Sequence, residues 1–138
     1  MKCLLQRVTQ ASVTVAGKVV GKIDQGLLVL VGVEPEDAEQ TVTRMAERLL
    51  RYRVFSDAEG KMNLNVAQVQ GSILLVSQVT LAADTTSGNR PGFSTAAPPQ
   101  QASNLCDQLP GAVRNGGVRV EEGRFGRALR VAVAHGDA

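Results

Sequence analysis

Two uninterrupted apolar stretches limit what this chain can fold into more than any other feature. Gly26 opens Leu27-Leu28-Val29-Leu30-Val31-Gly32-Val33, and Ser72 opens a second run through Ile73-Leu74-Leu75-Val76 towards Thr80. Both are short, rich in Val and Leu, and bounded by turn residues. That combination predicts strands buried on both faces, not strands with one wet face. The two are expected to be adjacent in the core of a sheet. Neither run approaches the length needed to cross a bilayer. Met1-Lys2-Cys3-Leu4-Leu5 meets Gln6-Arg7 at once and forms no signal-peptide core, so a cytoplasmic location is expected.

Around these runs the pattern changes. Residues 2–8 and 11–16 alternate as strands do, and Gly17-Lys18 reads as a hairpin turn into 19–23. Ala38, Val42, Met45, Ala46, Leu49 and Leu50 fall on one helical stripe, predicting a helix over about 37–52. Asp37 is placed as its cap, with Gln40 in the capping-box position. Val54-Phe55 is a short strand, and Asp57–Gly60 a turn. Residues 82–97 form a polar loop. A second helix starts near Pro99, where proline is tolerated. Its apolar stripe takes Leu105 and Leu109, and Pro110-Gly111 is expected to end or kink it. Residues 118–120 and 128–134 close the chain as strands. The 138 residues, 43% of them hydrophobic, fit one domain over 1–138. The expected fold is α/β: a layered β/β/α domain of mixed sheets, with a barrel-like core and two helices on one side.

The residue types exclude several chemistries. The single histidine, His135, stands far from any activated serine in sequence, which argues against a hydrolase triad. Cys3 and Cys106 are distant and form no metal-ligand spacing, so no metal and no cofactor are expected. Glu34, Glu36, Asp37 and Glu39 read as favourable charge at a helix N-terminus. A net charge of +2 and four aromatic residues suit neither a duplex coat nor a base-stacking platform. What remains is Ser77-Gln78-Val79-Thr80, hydrogen-bonding side chains with no base beside them. By residue type alone, Ser77 and Thr80 are equally at home as strand residues bonded to backbone. Arg90 reads either as a solvated loop charge or as a phosphate contact.

Longer segments separate these readings. "SQVTLAADTTSGNRPGFSTAAPP" (77–99) resembles a central block of the D-aminoacyl-tRNA deacylases, as do "QRVTQASVTVAGKVVGKIDQGLLVLVGVE" (6–34), "YRVFSDAEGKMNLNV" (52–66) and "GRFG" (123–126). The resemblance covers nearly the whole chain. It implies hydrolysis of the ester joining a D-amino acid to the tRNA 3′ end, and removal of glycine misattached to tRNA for alanine. It implies main-chain donors at Ser77, Gln78, Val79 and Thr80 for the oxyanion, with the RNA supplying a 2′-hydroxyl. Arg90 and Phe93 are the implied substrate-binding residues. The implied partners are the aminoacyl-tRNA 3′ end and a second copy of the chain, in a homodimer with composite sites and no membrane.

The family rejects L substrates with a Gly-cis-Pro dipeptide that enters the partner's pocket. Here Gly136, Asp137 and Ala138 stand where it is expected, and no proline follows Pro110. Val79 stands where phenylalanine is usual. The expectation is weak deacylation with poor D-over-L discrimination. The alternative is a relative that binds tRNA ends or a protein partner without efficient hydrolysis.

Overall fold

The computed structural model describes residues 1–77, 99–123 and 129–134. Among these residues, nine strands and two helices follow in the order β1 (Lys2–Val8), β2 (Gln10–Val15), β3 (Lys18–Ile23), β4 (Gly26–Gly32), α1 (Glu39–Arg51), β5 (Phe55–Ser56), β6 (Met62–Leu64), β7 (Ser72–Ser77), α2 (Pro99–Arg114), β8 (Arg119–Gly123) and β9 (Leu129–Ala134). Among the described residues they form a four-stranded sheet in the order β1-β4-β7-β8, a three-stranded sheet β3-β2-β9 and the small pair β5-β6. The sheets stack as layers and do not close into a barrel.

The two apolar runs are the centre of the large sheet. β4 and β7 are parallel neighbours, with Leu27 opposite Ile73 and Leu30 opposite Val76. Their alternation explains why neither run contains a polar residue. Leu27, Val29, Val31, Ile73 and Leu75 join the cluster that includes Val42, Ala46 and Leu49 of α1 and Leu105, Leu109 and Val113 of α2. Leu28, Leu74 and Val76 point the other way, against Ala11 and Val13 of β2 and Ile23 of β3. Each face is covered, one by helices and one by the second sheet. Every fully buried Leu, Ile or Val contributes about 1.5–3 kcal/mol relative to exposure.

Glycine is required where β4 begins. A Cβ on Gly26 would lie 1.8 Å from the Ser72 carbonyl oxygen. The two layers also meet closely at Gly123, where a Cβ would lie 2.9 Å from the Val13 methyl carbons.

Three local expectations are corrected, and one short strand is new. The β2–β3 turn is centred on Ala16-Gly17, both at positive φ (52° and 80°), not on Gly17-Lys18. That is the backbone a tight hairpin between twisted strands requires. Asp37 does not cap α1. The N-cap is Ala38, whose N–H donates to Thr41 Oγ1 at 3.0 Å. The short pair partner β6 lacks the length to show in the sequence. Finally, α2 does not stop at Leu109 but runs through Pro110 to Arg114. Leu109, Pro110 and Val113 are all buried, so core packing offsets the loss of one helix hydrogen bond.

Candidate functional site

The chemistry-bearing end of the molecule is set by strand direction. β4, β7 and β8 are mutually parallel, so Gly32, Ser77 and Gly123 lie at one end of the sheet. In open α/β sheets, ligands bind outside the carboxyl ends of parallel strands. Ser77 is the last described residue of β7 and is half-buried. It pairs in register with Val31, and Val31 in turn with Cys3 of β1. On its other side β7 pairs with β8 in parallel, Val76 lying opposite Gly123. By alternation, Ser77 faces the helices, as Ile73 and Leu75 do.

The same end is tied together by polar contacts. The Met1 ammonium donates to Asp37 Oδ1 at 2.6 Å and to Glu34 Oε1 at 2.9 Å. Asp37 Oδ2 also accepts the Glu34 N–H at 2.8 Å. Burial pulls the ammonium pKa down, but the bonds from Asp37 and Glu34 outweigh it, and the net shift is upward. Half of the acidic cluster therefore serves the β1–β4 end of the sheet instead of the helix terminus. Gln101 Nε2 donates to the carbonyls of Pro35 and Asp37, at 3.1 and 3.0 Å. This fixes the start of α2 beside the same loop. Ser77, Gln101 and Gly123, where "GRFG" begins, thus all lie towards that end.

Of the expected site residues, Ser77 lies in β7 opposite Val31. Gln78, Val79, Thr80, Arg90, Phe93, Gly136, Asp137 and Ala138 lie outside the described residues. Among the described residues no group of three His, Cys, Asp or Glu is arranged to hold a metal ion, and no helix is long and apolar enough to cross a membrane. Cys3 is inert in character: burial pushes its thiol up to about 11.

Sequence reasoning missed a groove beside this end. It has a volume of about 600 Å³ and runs between β1 and α1, lined by Cys3, Leu5, Arg44, Met45, Arg48, Arg51 and Tyr52 among others. The available signal was the i, i+4, i+7 spacing of its arginines.

Fold and strand direction together define a class: a layered α/β protein with parallel strands at the centre of its large sheet, whose Ser-Gln-Val-Thr block begins beside the carboxyl end of β4. The sequence model described as D-Tyr-tRNA(Tyr) deacylase matches residues 4–136, and the chain belongs to that family. A D-aminoacyl-tRNA deacylase of Azotobacter vinelandii is 57% identical over 131 residues, covering 95% of this chain and 90% of the relative. One from Pseudomonas fluorescens is 59% identical with the same coverage. Among solved structures, a c-Myc DNA unwinding element binding protein superposes with a TM-score of 0.84 at 36% identity, over 97% of this chain and 91% of that one. A probable eukaryotic D-amino acid tRNA deacylase gives a TM-score of 0.78 over 96% and 92%; at 17% identity it speaks for the fold alone.

Proposed function

We propose that this chain hydrolyses the ester of D-aminoacyl-tRNA, releasing free D-amino acid and tRNA, and that glycine on tRNA for alanine is a second substrate. Water adds to the ester carbonyl carbon, the carbonyl oxygen takes up negative charge, and the bond to the ribose oxygen breaks as that oxygen gains a proton. The aminoacyl ester is already activated and carries a neighbouring ribose hydroxyl. The protein's task is therefore positioning and oxyanion stabilisation, which oriented N–H donors perform without a side-chain base.

One observation carries this reading. In a chain of this family, the Ser-Gln-Val-Thr block begins at Ser77, which pairs with Val31 next to the carboxyl end of β4, the end at which open α/β sheets bind ligands. The donors are the N–H groups of 77–80, with the Thr80 hydroxyl beside them. Arg90 and Phe93 contact the aminoacyl-adenosine end. The active species is a homodimer acting in the cytoplasm, where aminoacyl-tRNA is used. The test is deacylation of D-aminoacyl-tRNA by wild type and Thr80→Ala. A wild-type rate above buffer, with the variant slowed about 10²-fold, the scale of losing one oxyanion donor, supports it. Equal rates for the two proteins would remove the side-chain role.

A further inference from the structure

The groove between β1 and α1 is not used by the chemistry above, and its position and charge are unusual. Its floor begins at Cys3, which lies in the same cross-strand row as Val31 and Ser77. Two strand spacings separate Cys3 from Ser77, about 10 Å. From Cys3 the groove leads along the edge strand to Leu5, away from the site. Its helical wall carries Arg44, Arg48 and Arg51, all exposed. Among the described residues none of the three is in an ion pair, although Glu47 shares the wall. Favourable interaction with the helix dipole accounts for Arg48 and Arg51 in the last turn of α1. It does not account for Arg44, a turn further back, nor for all three facing one groove.

The spacing matches a nucleic-acid strand. Seven residues of helix rise about 10 Å, and a strand of a nucleic-acid duplex carries about three phosphates over that length, one per ~3.4 Å. Tyr52, 53% exposed at the end of the groove, offers an aromatic face to a sugar or base.

We infer that the Arg44-Arg48-Arg51 groove is a phosphodiester-backbone site that holds the RNA strand leading to the Ser77 end. The identity of the RNA as tRNA rests on the proposed function. The arginines contact phosphates, so they add affinity and direction to the incoming strand without reading its sequence. Such contacts release counterions, and each phosphate neutralised adds about 0.7–0.9 to the slope of log affinity against log salt.

The experiment measures binding of uncharged tRNA from low to moderate salt. It compares wild type, the triple variant Arg44→Gln/Arg48→Gln/Arg51→Gln, the single variant Arg48→Gln, and a charge-matched control, Lys18→Gln/Lys22→Gln/Lys61→Gln, whose exposed lysines lie outside the groove. The expected result is a slope reduced by about 2–3 in the groove triple and by about 0.7–0.9 in Arg48→Gln. Glu47→Gln, which removes the one acidic group on the wall, should tighten binding. The control triple should change the slope by less than half as much as the groove triple. Equal changes in the two triples, or none in the groove triple, overturn the inference. Hydrolysis of D-aminoacyl-tRNA by wild type is measured in parallel. No hydrolysis with the slope result intact sinks the proposed function and leaves a backbone site. Hydrolysis with no groove effect sinks the groove alone.

Discussion

Gly26 shows how a single residue can decide whether two strands meet. Because a Cβ there would sit 1.8 Å from the Ser72 carbonyl oxygen, no rotamer relieves the contact, and the parallel pair itself must separate. Gly26→Ala is expected to cost more than the roughly 1–3 kcal/mol typical of overpacking and to yield little folded protein. A purified Gly26→Ala protein with an unchanged melting temperature would contradict the strand geometry. At Met1 the consequence is pH dependence. The ammonium pKa is raised in the folded state, so the contact contributes fully below the ordinary value near 8 and is lost as pH rises through the raised value. Asp37→Asn should cost about 1–3 kcal/mol at pH 7, the scale of a hydrogen bond to a charged group. The gap to wild type in denaturant titrations should narrow towards pH 10; a gap constant across that range would show that the ammonium is not the partner that matters. Ser77 was legible because its residue type and its block are local properties. The partner of Asp37 was not: Met1 and Asp37 are adjacent only once β1 pairs with β4, and a carboxylate just before a helix looks like a cap in any sequence.

At the scale of elements, α2 carries the clearest conflict between local and tertiary preference. Pro110 removes a helix hydrogen bond and crowds the preceding turn, at about 3 kcal/mol, yet the helix continues to Arg114 with Pro110 buried. Local rules predicted an end or a kink; the helix does not end there, and Leu109 and Val113 pack into the helix-side core on either side of Pro110. Pro110→Ala should restore the hydrogen bond and lose two buried methylenes worth about 0.8 kcal/mol each. A net stabilisation of about 1 kcal/mol is expected, read as a higher melting temperature. Destabilisation instead would mean that the ring's packing outweighs the backbone conflict. The long elements were readable because their apolar patterns are imposed by what covers them. Leu27–Val31 of β4 and Ile73–Val76 of β7 lack polar positions since helices cover one face and the second sheet the other. α1 shows a stripe since only one side is covered. β6, three residues long and largely exposed, has no such pattern to read.

For the whole molecule, the family's composite sites lead to an expected homodimer, and sedimentation at tens of micromolar, a mid-range affinity scale, should show it; a monomer alone would contradict the assembly. Chirality belongs to this scale too, because the family's device crosses from one subunit to the other. Asp137 and Ala138 stand at its Gly-Pro positions in the alignment that the resemblance implies, and neither is the proline that favours a cis peptide. Asp137 would also set a negative charge near a developing oxyanion. L-aminoacyl-tRNA should therefore be cleaved at a rate within about a factor of ten of the D form, a barrier difference under about 1.4 kcal/mol. An untouched L substrate beside rapid D hydrolysis would show that another segment provides the discrimination. The central claim is that a chain with this strand-end site, and no side-chain base, opens an aminoacyl ester on tRNA. The most direct measurement is the initial rate of amino acid release from D-tyrosyl-tRNA by purified protein. The account predicts release faster than in buffer and proportional to protein concentration; a rate no different from buffer, with the protein folded, would contradict it.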